Sequence, residues 1–194
     1  MRLTHLEPAS YIRMPWKNGQ GITTEIARWP QNGELDWRIS VARVTADGPF
    51  SHFPGCDRVI LALDGAGMIL THHETGVVVS LSALEPWSFR GEWTTSCVLP
   101  AGGIRDFNVV TRRAAFSAEV SVLVLEGTRS IDLTAATTIL YCVSGDAVTG
   151  SELTMQLASD DTVIAERTPS LNECLPIRAS SEQATVVRVD LITP

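Results

Sequence analysis

Lysine is all but missing from this 194-residue chain: Lys17 stands alone beside fourteen arginines. Long apolar runs are missing too. None reaches the roughly 18 residues of a membrane-spanning helix, and the opening Met1-Arg2-Leu3-Thr4-His5-Leu6-Glu7 has no apolar core of a secretory signal, so a cytoplasmic protein is expected. Positive charge is scarce: the net charge is −7 and no basic stripe occurs, which argues against nucleic acid and anionic membranes as partners. The four cysteines, Cys56, Cys97, Cys142 and Cys174, are far apart and form no CxxC pair. They read as small buried hydrophobes rather than a disulfide framework. Histidine is sparse as well. His52 stands without a second ligand beside it, and His72 and His73 are adjacent, so on a strand they face opposite ways. The three protein ligands of a catalytic metal cannot be assembled, and neither metal nor cofactor is expected.

What the chain does have is a series of short β-branched runs closed by glycine or Asp-Gly-like turns. Trp37 to Val44, Val59 to Leu63, Met68 to Thr71, Gly76 to Leu81, Val120 to Leu125, Ile139 to Val143, Val163 to Glu166 and Val186 to Leu191 follow one another with almost no helical periodicity between them. That pattern predicts an all-β sandwich or barrel. The runs also repeat. Ser40-Val41, Gly48, Val59 to Leu63 and Gly65 are echoed about 80 residues later by Ser121-Val122, Gly127, Thr138 to Val143 and Gly145, with glycine intervals of 17 and 18 residues. A duplicated jelly-roll barrel of the cupin type fits this period. It gives an N-terminal lobe over residues 1–110 and a C-terminal lobe over 111–194. All five tryptophans, Lys17 and His52, His72 and His73 precede residue 94, so the first lobe is expected to carry the site and the second to be structural.

Four clusters could carry chemistry. In Trp16-Lys17-Asn18-Gly19-Gln20-Gly21-Ile22-Thr23-Thr24-Glu25, two glycines let backbone approach a ligand while Lys17, Asn18, Thr23 and Glu25 supply donors and acceptors; the bland alternative is a hairpin with Asn18-Gly19 as its turn. Lysine's compact ammonium does a different job from arginine's planar fork. Asp36-Trp37-Arg38-Ile39-Ser40-Val41 alternates, placing Arg38 and Ser40 on the face opposite Trp37. Arg38 then points either to solvent or into the barrel, where a bound carboxylate would pair it. In Gly48-Pro49-Phe50-Ser51-His52-Phe53, Phe50 and Phe53 read as apolar pocket walls or core. Asp106 and Asn108 share one face of an extended segment, either binding a ligand or closing a turn.

As an ordered set, Trp16-Lys17-Asn18-Gly19-x-Gly21, Asp36-Trp37-Arg38-x-Ser40, Asp47-Gly48-Pro49-Phe50-Ser51-x-Phe53-Pro54-Gly55-x-Asp57-Arg58 and Asp106-Phe107-Asn108 with Arg112-Arg113 resemble the HutD/Ves family across roughly residues 10 to 113. The resemblance implies a bicupin without established catalytic activity, linked through HutD to histidine-utilisation genes as a regulator or metabolite binder. It implies a pocket using Lys17, Asn18, Arg38, Arg58, Asp106 and Asn108. Gln20 departs from the family's triple-glycine stretch and adds a side chain where backbone approaches the ligand.

The leading expectation is a non-catalytic protein that binds a small carboxylate or amide metabolite, such as N-formylglutamate, through Lys17, Asn18, Glu25, Arg38, Ser40, Phe50, Arg58, Asp106 and Asn108. The alternative is a metal-independent isomerase or hydrolase using Lys17, Glu25 and Asp106. An interaction protein with an exposed tryptophan and phenylalanine patch is a further class. Exposed barrel edges are compatible with a homodimer.

Overall fold

In the computed structural model, which describes residues 1–16, 21–152, 154–168 and 173–194, the chain is built from antiparallel ladders, with one 3-10 turn at Pro8–Ser10. No helix among the described residues is long and apolar enough to cross a membrane. All eight runs singled out by alternation and glycine closure fall on strands, six of them extended by one to three residues at an end, while Leu63 and Gly76 lie just outside theirs.

The strands form two compact units, Tyr11–Ser117, and Met1–Ser10 together with Ala118–Pro194. This division differs from the expected boundary between residues 110 and 111. Strand Arg2–Leu6 pairs with Thr162–Glu166, a long-range ladder that nothing local in the sequence announces. Strand Ile104–Arg112 runs straight through position 110 and is hydrogen-bonded to Trp37–Val44 on one side and Cys56–Ala62 on the other. A cut there would sever the interior of a sheet.

In the unit Tyr11–Ser117, a six-stranded sheet has the order Ile12–Pro15, Gly21–Trp29, Trp37–Val44, Ile104–Arg112, Cys56–Ala62, Trp87–Arg90. A four-stranded sheet has the order Gly48–Pro49, Thr95–Val98, Met68–His72, Val77–Leu81. The other unit has a five-stranded sheet, Arg2–Leu6, Thr162–Glu166, Thr137–Ser144, Ala184–Ile192, Ser117–Leu125, and a four-stranded one, Thr128–Leu133, Glu173–Ala179, Ala147–Thr149, Met155–Leu157. Each unit is thus a two-sheet jelly roll, and the repeated glycines hold equivalent places. Gly65 (φ +78°) and Gly145 (φ +73°) both take the left-handed conformation just after a buried strand of the larger sheet, where an L side chain is strained.

The two interiors differ in chemistry. The second unit has an apolar cluster that includes Leu140, Cys142, Leu157, Val163, Leu175 and Val186. In the first, Ile60, Met68, Leu70, Leu81 and Phe89 form a core that gives way to polar side chains and open space.

Two expectations are corrected. Cys56, Cys97 and Cys142 are buried free thiols, but Cys174 is exposed, and its thiol donates to Asp132 Oδ1 at 3.1 Å on the neighbouring strand. The aromatic surface patch reduces to Trp29: among the tryptophans and phenylalanines it alone is exposed, at 55%. The other tryptophan and phenylalanine rings are buried or half-buried, which removes much of their area from water.

Candidate functional site: an arginine-lined cavity

Strand register assembles the site. On the central strand Ile104–Arg112, Val110 lies opposite Arg38 on one side and Arg58 on the other. Asn108 lies opposite Ser40 and Ile60, and Asp106 opposite Ala42 and Ala62. Residues directly opposite share a face and alternate residues repeat it. Arg38, Ser40, Arg58, Asp106 and Asn108 therefore project from one face of three adjacent strands. That face lines a cavity of about 550 Å³, completed by Trp16, Thr23, Phe50, Phe53 and, from the facing sheet, Cys97. The volume is that of a small-molecule site. The opposite face of the same strands carries Ile39, Leu61, Phe107 and Val109, all at most 1% exposed, so both faces are fixed and register slippage is disfavoured.

The two arginines differ. Arg58 is 6% exposed; its Nη2 donates to Asn108 Oδ1 at 2.6 Å and its Nη1 to the Ser51 carbonyl at 3.3 Å. Its guanidinium carbon sits 5.0–5.3 Å from the ring centroids of Phe50, Phe53 and Phe89, a cation–π setting that offsets part of the cost of burial. Burial pulls its pKa down to about 10, against the attraction of Asp106, which leaves it charged at neutral pH. Arg38 lies over the ring of Phe53 at 5.1 Å. Burial lowers its pKa, Glu25 opposes that shift, and Arg28 adds to it. The Nε atoms of both arginines are buried without a hydrogen-bond partner, and Arg38 makes no side-chain hydrogen bond among the described residues. Unused charged donors at a cavity wall are what a bound anion satisfies.

Asp106 is 2% exposed. Burial pushes its carboxyl up to about 7, against the pull of Arg58 and of hydrogen bonds from the Ala42 backbone and Asn108. Asn108 joins the two ends of this row: its amide oxygen accepts from Arg58 and its Nδ2 donates to Asp106 Oδ1 at 2.5 Å. The amide orientation follows from chemistry, because a guanidinium only donates.

Of the residues expected at the site, Arg38, Ser40, Phe50, Arg58, Asp106 and Asn108 are brought together. Lys17, Asn18 and Gln20 lie outside the described residues. Glu25 is buried at 8% exposure but does not line the cavity. It stands opposite Ser40, just before a bulge that shifts the register by Ala27. Trp16 closes the rim by donating from Nε1 to Thr23 Oγ1 at 2.8 Å, and it packs over Gly21, where an added Cβ would come within 2.8 Å of the indole. Cys97 was not foreseen at the wall, since nothing local marks its strand as facing the arginines. No cluster of three or more potential metal-ligating side chains occurs among the described residues. His72 is fully buried and bonded to Trp87 and Thr95, whereas His73 is exposed and bonded to Ser96.

The HutD family model matches residues 8–184. The chain belongs to the HutD family. An uncharacterized 21.2 kDa protein in the hutC 3′ region of Pseudomonas putida is 37% identical over 147 residues, 74% of this chain and 75% of that protein. Protein Ves of Citrobacter koseri is 35% identical over 109 residues, 55% of this chain and 56% of Ves, so that match spans little more than half of either. The HutD/Ves family is thereby linked to the histidine-utilisation locus. HutD from Pseudomonas fluorescens SBW25, solved in a formate condition, matches with a TM-score of 0.85 at 29% identity, and a conserved protein of unknown function from Pseudomonas aeruginosa PAO1 with 0.87 at 34%; each match covers 100% of both chains. A cupin 2 conserved barrel protein from Leptotrichia buccalis, at 9% identity and a TM-score of 0.60, covers 96% of this chain and 98% of its own. That likeness concerns the fold alone, and with the two jelly rolls it makes this HutD-family chain a bicupin.

Proposed function

We propose that this HutD-family protein is a non-catalytic binder of a small carboxylate metabolite, of the kind of N-formylglutamate, acting in the regulation of histidine utilisation or related metabolism. The observation that carries the reading is Arg38, whose guanidinium stands at the wall of a 550 Å³ cavity with no hydrogen bond of its own among the described residues. Arg58 supplies a second, better-anchored cation on the same face. The family's link to the histidine-utilisation locus supports a carboxylate metabolite as the ligand.

Calorimetric titration with formate, glutamate, urocanate and N-formylglutamate tests it. Charge-assisted hydrogen bonds contribute roughly 1.5–3 kcal/mol each, so Arg38→Met should weaken the bound acid about 10- to 150-fold while the fold persists. Absence of saturable binding by every acid would overturn the reading. Catalytic use of Lys17, Glu25 and Asp106 is the competing class, and product formation from the same panel would establish it in place of simple binding.

A further inference from the structure

The cavity wall carries a dipole as well as a cation. Along the row Arg58–Asn108–Asp106, positive charge sits at one end and a carboxyl group at the other. The Asn108 amide between them accepts from the first and donates to the second. By those bond lengths and amide geometry the two ends lie no more than about 7 Å apart. Asn108 is thus a pattern for what the wall binds: an acceptor facing Arg58 joined to a donor facing Asp106.

Asp106 has capacity to spare. A carboxylate offers about four acceptor positions. Asn108 fills one and the Ala42 backbone amide contributes a second. Its cross-strand neighbours on this face, Ala42 and Ala62, have no side-chain donor. The nearby wall residue from the facing sheet is Cys97, whose thiol is a weak donor. A carboxyl group buried to 2% exposure with open acceptor positions toward a cavity is costly unless an occupant donates to it.

We propose that the cavity selects carboxylic acids that also bear an N–H or O–H donor, such as N-acyl amino acids and hydroxy acids, with the carboxylate held by Arg38 and Arg58 and the donor accepted by Asp106. This rests on the carboxylate-binding reading above and narrows the ligand class. A bare carboxylate satisfies only the cationic end of the wall. The raised pKa of Asp106 agrees with a carboxyl group that lacks enough donors when the cavity is empty.

The test is a matched pair in which one N–H is replaced by CH₂ with almost no change of shape: N-acetylglycine and levulinate (4-oxopentanoate). Both are titrated into the wild-type protein, Asp106→Ala and Asp106→Asn. The expected result is at least a tenfold preference for N-acetylglycine in the wild type, because a site that accepts a donor rejects the analogue lacking it. That preference should fall to within threefold in Asp106→Ala. Should the alanine variant fail to fold, Asp106→Asn serves in its place, since loss of the negative charge should cut the preference at least threefold. Equal affinities in the wild type would overturn the donor selection while leaving carboxylate binding intact, as would a preference that survives in both variants. No binding of either acid would overturn the donor selection, and the carboxylate reading falls with it only if formate, glutamate, urocanate and N-formylglutamate also fail to bind.

Discussion

His72 offers the most direct check on the architecture that supports the cavity. It lies on the four-stranded sheet of the first unit, opposite Thr95, with its ring fully buried. Its Nε2 faces the indole Nε1 of Trp87, a residue of the six-stranded sheet, at 3.0 Å, and its Nδ1 faces Thr95 Oγ1 at 2.9 Å. Indole only donates, so Nε2 accepts and the proton resides on Nδ1. Thr95 in turn donates to the Trp93 carbonyl at 3.3 Å. The imidazole is thus a neutral pin between the two sheets, flanked by the rings of Phe89 and Trp93 at 4.8 and 5.2 Å. His72→Leu removes two hydrogen bonds worth roughly 0.5–1.5 kcal/mol each, a loss of about 1–3 kcal/mol. At this chain length that lowers the calorimetric midpoint by about 2–12 °C. Protonating Nε2 would set N–H against N–H. Burial lowers the His72 pKa below its ordinary value, with Glu74 opposing and Arg58 adding to the shift. A folded pKa below the unfolded value means stability is full above pH of about 6.5 and is lost as pH falls from there. The wild type should therefore lose stability on acidification relative to His72→Leu. An unchanged midpoint in the variant, or parallel acid profiles for the two proteins, would refute the pin.

Formate, a carboxylate with no donor beyond its C–H, should bind more tightly as pH is lowered from 8 to 6, because protonating Asp106 near pH 7 removes negative charge beside the arginines; a flat profile in Asp106→Asn would confirm the source. The same group gives a stability signature. Its folded pKa of about 7 lies above the unfolded value of about 3.9, so its stabilising contribution is present below pH of about 4 and lost as pH rises through 7. Asp106→Asn should accordingly gain on the wild type in urea melts as pH rises from 4 to 8. At Gly67 (φ +80°) an added Cβ would lie 2.0 Å from the Leu81 carbonyl oxygen, whereas at Gly76 (φ +69°) it would meet nothing within 4 Å. Gly76→Ala should cost about 1–2 kcal/mol from left-handed strain alone, and Gly67→Ala at least twice as much. Equal costs by chemical denaturation would show that the hairpin yields at Gly67.

Much of the site was legible because β structure writes its two faces into alternate positions. Arg38 and Ser40 opposite Trp37, and Asp106 and Asn108 opposite Phe107, follow from period-two alternation alone, and each pair occupies the face expected of it. The paired glycines at 65 and 145 likewise announced two equivalent turns. Other elements left weaker traces. Arg2–Leu6 and Ile12–Pro15 are edge strands in their sheets, and the latter is exposed throughout, so neither shows a clean apolar alternation. Glu173–Ala179 contains Pro176, a residue that argues against a strand interior. Glu25 lies on the right strand, yet the bulge between it and Ala27 disrupts the alternation by which its orientation would be read.

The sequence by itself determined the all-β class, the duplication, the family and which side chains share a strand face, since these depend on composition, local periodicity and ordered motifs. Only the tertiary structure decided which face looks inward. Alternation distinguishes two faces but does not say what covers either, and Arg38 toward solvent and Arg38 toward a cavity give the same sequence pattern. Register between strands distant in the chain placed Arg38 and Arg58 on either side of Val110. Packing carried Cys97 across from the facing sheet and laid Trp16 over Gly21. It also joined the first ten residues to the second unit. Each of these depends on contacts between distant segments, whose partners are selected by the burial and hydrogen bonding of the whole fold.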